Sequence, residues 1–139
     1  MGAATDEGTI SEAEVRAVIS TQLVIDSARV AGLEVASPFH SEGGDALVVY
    51  GGEANDESPL RARRVEVRAF DSGLEETALA APVAGGTLVA LVEWGGVGEG
   101  DGVLLLAASD VEGVRRGTVA LGDCRATCER WRALVIGAA

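Results

Sequence analysis

Two cysteines, one histidine and eleven arginines, with no lysine at all, are the side chains from which this 139-residue chain would have to build most of its chemistry. Cys124 and Cys128 have three residues between them. That spacing fits neither a Cys-x-x-Cys redox motif nor a zinc knuckle, and a zinc site needs two more good ligands. If Arg125-Ala126-Thr127 closes a hairpin, the two cysteines face each other. Opposed hairpin positions lie about 4.5–5.5 Å apart at Cα, which a disulfide can bridge. A bridge, two free thiols and a metal site all stay open for the pair, and a bridge would imply an oxidising setting.

His40 is the sole imidazole, in Pro38-Phe39-His40-Ser41-Glu42. A triad of His40, Ser41 and Asp45 is conceivable on paper, but no Gly-x-Ser-x-Gly elbow positions the serine, and His40 reads as a loop residue. Adjacent acids such as Glu75-Glu76 and Asp56-Glu57 are expected by chance in a chain with 22 carboxylates, and they read as solvated. The run Gly95-Gly96-Val97-Gly98-Glu99-Gly100-Asp101-Gly102 touches two known patterns and satisfies neither. A dinucleotide loop opens a helix, whereas here Val103-Leu104-Leu105-Leu106 resumes a strand. The calcium nonapeptide wants Asp where Gly100 stands. A flexible hairpin loop is the expectation, with Trp94, Gly98 and Asp101 as possible ligand contacts beside it. Arg61, Arg63, Arg64 and Arg68 form the basic cluster, and they read as partners for neighbouring acids. No catalytic residue, cofactor or metal is expected, and the chain does not read as an enzyme.

Charge narrows the partners. A net charge of −11 repels nucleic-acid phosphates and anionic membranes. Partners are therefore expected to be protein, either further copies or other subunits. The first residues show no basic n-region followed by an apolar run, so no signal peptide is expected, and synthesis in the cytoplasm, with a virion or non-classical release as later destinations, follows. No apolar stretch approaches a bilayer span.

The elements that would position these residues form one domain over 1–139: an arm at 1–10, a helix at 11–28 and a β region at 29–139. Ser11-Glu12-Ala13-Glu14 is a capping box, with Ile10 and Val15 placed as a hydrophobic staple. Val15, Val18, Ile19 and Leu23 follow at helical spacing, an apolar stripe that must pack on something. Beyond Arg29 the period becomes two, and strands are expected near 29–36, 46–50, 62–70, 77–81, 87–94, 103–108, 114–122 and 129–136. In the last hairpin Leu121 would face Trp131. On the closing strand Leu134 and Ile136 would point away from the core. Together with Leu104 and Leu106, which lie on a strand apolar on both faces, they are the expected interface.

Seven or eight short antiparallel strands amount to a β-sandwich. Within it, Arg64-Val65-Glu66-Val67-Arg68-Ala69-Phe70-Asp71-Ser72-Gly73 resembles a strand and turn of an immunoglobulin-like or fibronectin-type module, without the Cys-Trp-Cys spacing of antibody domains. Gly32-Leu33-Glu34-Val35, followed by the stretch from Asp45 to Ala54, is faintly similar to the opening of phage tail and baseplate subunits. The sandwich resemblance implies architecture, a mainly β fold with an N-terminal helix. The lack of catalytic chemistry and the surplus apolar surface lead to the expected function, a structural or protein–protein interaction subunit of a virion, tail, filament or similar oligomeric assembly. A carbohydrate-binding module using Trp94 and the 95–102 loop is the alternative, and a small hydrolase the third reading.

Overall fold

The structure is a computed structural model that describes residues 9–37, 46–51, 60–71, 73–83, 85–94 and 102–137. Its first element, α1, runs over Glu12–Val30 and starts as its sequence dictates. The Ser11 hydroxyl accepts from the Glu14 amide at 3.2 Å, while the Ser11 amide donates back to the Glu14 carboxylate. The expected helix is present and runs two residues further than expected.

Three strands follow: β1 (Glu34–Ala36), β2 (Ala46–Gly51) and β3 (Arg61–Asp71). They form an antiparallel meander, with Val49 opposite Val35 on one side and Arg63 on the other. The short helix α2 (Glu75–Ala80) then carries the chain across to β4 (Leu88–Trp94), which pairs parallel to β3 with Val65 opposite Leu88 and Asp71 opposite Trp94. Antiparallel β5 (Val103–Leu106) completes the sheet in the order β1-β2-β3-β4-β5. Helices α3 (Ala108–Arg116) and α4 (Cys128–Val135) close the described chain, joined through a 3₁₀ turn at Leu121–Cys124.

The two faces of this sheet carry separate cores. On one, α1 and α4 cover Leu47, Val49, Val65, Leu88, Ala90, Val92, Val103 and Leu105, with Trp131 fully enclosed among them. On the other, Leu79 of α2 and Val111 of α3 pack with Phe70, Val89, Leu91, Leu106 and Cys124. Leu88 to Leu91 are all 0% exposed, because alternate residues enter opposite cores.

This arrangement corrects the expected sandwich. Among the described residues there is one open, mixed, five-stranded sheet with helices on both faces, and no second sheet. The unbroken apolar runs of β4 and β5 are what a sheet covered on both faces requires. Their second face is filled by the chain's own helices, so no partner is needed there. The strands expected at 77–81, 114–122 and 129–136 are instead α2, the end of α3 with its following turn, and α4. An immunoglobulin-like description therefore does not hold, and the structural, virion, tail or filament setting tied to it has no support in this fold.

Both sheet edges are blunted. β1 is only three residues long. At the outer edge of β5, the Ala126 amide donates to the Val103 carbonyl at 3.0 Å, and Leu104 makes a single bridge with Arg125. Arg130 of α4 reaches the same edge, donating to the Leu105 carbonyl at 2.6 Å and pairing with Asp110 of α3 at 2.8 Å. One guanidinium thus ties the helices of the two layers across an edge that would otherwise be free to pair with another strand.

Candidate functional site

The site that stands out is built on α1, through a reversal of what its sequence pattern leads one to expect. Facing the sheet are Ser20, Val24, Ala28 and Ala31, all buried, with Ala17 and Ser27 half-buried beside them. These residues are mostly small, and they let the helix axis approach the strands closely. Each of the two serines also accepts an indole N–H: Trp94 Nε1 donates to Ser20 Oγ and Trp131 Nε1 donates to Ser27 Oγ, both at 2.8 Å. Serines seven residues apart lie on one helix face, so the two tryptophans, from β4 and α4, are pinned to the same stripe.

Because the small residues point inward, the branched ones point out. Val15, Val18, Ile19 and Val30 are 41%, 66%, 42% and 75% exposed, and Ile10 just before the helix is 60% exposed. Five of the seven large hydrophobics that stand exposed among the described residues therefore belong to this one helix and its lead-in; the other two are Leu60 and Leu74. Along the flank of the same face runs a groove of about 390 Å³ between α1 and the start of α4, walled by Leu23, Val30, Val103 and Ala126, with Asp26 and Cys128 among its polar lining.

The residues singled out from the sequence are dispersed. Cys124 and Cys128 are free thiols. Cys124 is 1% exposed in the core under α2 and α3, whereas Cys128 is exposed at the start of α4, its Sγ 3.7 Å from the Val30 carbonyl. The hairpin that would have set them face to face does not exist, since Thr127 caps a helix there by accepting from the Arg130 amide at 3.1 Å. Burial pushes the Cys124 thiol pKa up, opposed by the Arg130 cation and reinforced by Asp110 and Asp123.

Leu106 is fully buried and Leu104 half-buried against the α2 and α3 core. Leu134 and Ile136 are half-buried against the opposite core. Ile136 lies over Gly51, where an added Cβ would come 3.6 Å from its Cδ1 and 2.7 Å from Leu33 Cδ2. The expected interface residues are thus taken up largely by the chain itself. Trp94 is half-buried at the carboxyl end of β4, with the Arg16 guanidinium 5.2 Å above its ring and its N–H engaged by Ser20. Arg16 also pairs with Asp71 at 2.6 Å. Arg16 thus lies over one face of the ring and Ser20 takes its N–H. Gly98 and Asp101, like His40, Ser41 and Asp45, lie outside the described residues.

The basic cluster also divides. Arg63 donates to the Gly86 and Leu134 carbonyls. Arg68 pairs with Glu66 and donates to the carbonyls of Ala78, Ala81 and Pro82, holding the end of α2 on the sheet. Among the described residues, no group of three or more His, Cys, Asp or Glu side chains could hold a metal, and no helix is long and apolar enough to cross a membrane.

The sequence reading left open what the stripe of Val15, Val18, Ile19 and Leu23 packs on, and the structure turns the first three of them outward. A signal was present in the competing stripe of small residues, Ala17, Ser20, Val24, Ala28 and Ala31, whose spacing is just as helical. Comparison with known protein families, with curated proteins and with solved structures finds no match to this chain.

Proposed function

We propose that this chain is a protein–protein interaction subunit whose recognition element is the outer face of α1. One observation carries the reading: the helix already satisfies the sheet with small residues, yet presents Val15, Val18, Ile19 and Val30 to water. Burying one such side chain is worth about 1.5–3 kcal/mol, and an apolar stripe with an apolar groove along its flank is the surface signature of a binding face. Glu12 and Glu14 lie at one end of the stripe and Arg29 at the other, which gives it a polar rim, while Asp26, bonded by Gln22 Nε2 at 2.9 Å, is a polar member within it. The absence of lysine and the single histidine weigh against a catalytic reading.

Site-specific photo-cross-linking tests the proposal in the cells that make the protein. A photoreactive residue at position 18 should yield a discrete adduct band, while the same residue at Glu112, exposed on α3, should not. Failure to cross-link at 18, or equal smears from both positions, would sink it.

A further inference from the structure

We infer that the partner of α1 is α1 of a second copy, the two helices lying antiparallel about a two-fold axis near their midpoint. The inference rests on the interaction reading just given and names its partner.

A two-fold contact requires one surface to be its own complement, so that each copy gives what it also receives. Helix α1 meets that requirement along its length. Val15 and Ile19 project from its amino-terminal half, while Leu23 and Val30 line the groove beside its carboxy-terminal half. Residues 15, 19, 23, 26 and 30 follow one another at three- and four-residue steps, so ridge and groove wall share one stripe. Turning a second helix end for end brings its Val15 and Ile19 over the first copy's groove, and the reverse contact forms at the same time.

Charge selects the antiparallel sense. The first turn carries Glu12 and Glu14, and the last turn carries Arg29, which makes no ion pair among the described residues. End-for-end pairing sets the acids of one copy beside Arg29 of the other, and it also sets the two helix dipoles head to tail. A parallel pair would stack acid on acid and Arg on Arg. Helix α1 has 19 residues, a length of about 28 Å at 1.5 Å per residue. A contact along that length buries on the order of 1,000 Å² in total, at the lower end for specific interfaces. An interface of that size is in the class of weak, transient encounters.

Sedimentation of the full chain from micromolar to millimolar concentration supplies the test. The mass should climb from 14.1 kDa towards twice that value. Ile19→Glu, which acts twice in a two-fold interface, should weaken the association tenfold or more while leaving the circular dichroism spectrum unchanged. Leu74→Ser, at a side chain 51% exposed outside α1, should leave association intact. The antiparallel sense has its own readout. In a Val15→Cys variant, mild oxidation should link the introduced thiol of one copy to Cys128 of the other, giving a dimer on a non-reducing gel that Cys128→Ser abolishes. A mass that stays at 14.1 kDa throughout, a dimer indifferent to Ile19→Glu, or a Val15→Cys dimer that survives Cys128→Ser would each overturn the inference. If the position-18 adduct exceeds the chain by a mass other than its own while sedimentation shows a monomer, self-pairing falls and the interaction reading stands.

Discussion

At the scale of single residues, the fold depends on polar groups the sequence does not advertise. Ser20 is the clearest case, being 1% exposed and the acceptor for the Trp94 indole N–H at 2.8 Å. Replacing Ser20 with Ala keeps the volume nearly constant but leaves a half-buried N–H without its acceptor. An unsatisfied buried donor costs about 1–3 kcal/mol, whereas Ala gains only a few tenths over Ser in helix propensity. We therefore expect Ser20→Ala to lower the unfolding free energy by about 1–2 kcal/mol in a urea titration. Trp94→Phe in the same background should then add less than it does alone, because it removes the orphaned donor; additive losses would show that the hydrogen bond contributes nothing. Such pairings could not be read in advance, since Ser20 and Trp94 stand 74 positions apart and nothing local links them. The capping box at Ser11 and Glu14 was legible because all its partners lie within one turn.

Elements divide along the same line. Helix α1 and most strands were legible from caps and periodicity, but three helices were read as strands. In Cys128–Val135 the side chains that reach the core are Trp131 and Val135, four apart, yet Ala133 between them completes a false period of two. Thr127 as cap signalled the truth. In α3 the signals were Asp110 in the first turn, Arg115 and Arg116 in the last, and Gly117 at φ 80° as the left-handed stop. What obscured them was Gly113, a poor helix residue in mid-helix. The structure supplies its reason: a Cβ there would come 2.3 Å from Val119 Cγ2, and the Gly113 carbonyl receives the Thr118 and Val119 amides as the chain folds back. Propensity alone says Gly113→Ala should stabilise by about 0.5–1 kcal/mol. Overpacking typically costs about 1–3 kcal/mol, and Val119 cannot retreat while its own amide is held to the same residue. We expect a net loss of about 1–2 kcal/mol, with Val119→Ala in the second position restoring part of it. A more stable Gly113→Ala variant would show that the turn after α3 yields freely.

For the whole molecule the dominant fact is charge, and here the sequence was fully legible because net charge needs no fold. With 22 acids against 11 arginines, the chain carries −11. The ion pairs among the described residues engage only Arg16, Arg68, Arg116 and Arg130. Acids outnumber arginines two to one, so one-to-one pairing leaves at least half of them uncompensated, and folding gathers this excess charge into a smaller volume. Self-repulsion of this kind destabilises the compact state, and salt relieves it, since the Debye length falls from about 30 Å at 0.01 M to about 3 Å at 1 M. Salt also weakens the favourable pairs, but the exposed ones are worth only a few tenths of a kcal/mol each. The two that matter most, Arg68 with Glu66 and Arg130 with Asp110, are shielded by burial, with the arginines 10% and 24% exposed. Repulsion should win. Raising NaCl from 0.01 to 1 M is expected to lift Tm by several degrees, about 1–2 kcal/mol for a domain of this size, with most of the rise complete by about 0.3 M, where screening is already short-ranged. Melting the Ile19→Glu variant at low concentration keeps association, which would itself raise Tm, out of the measurement. A Tm that is flat or falls with salt would mean that the acids are already neutralised by ordered pairing, and that the negative surface exerts no strain on the fold.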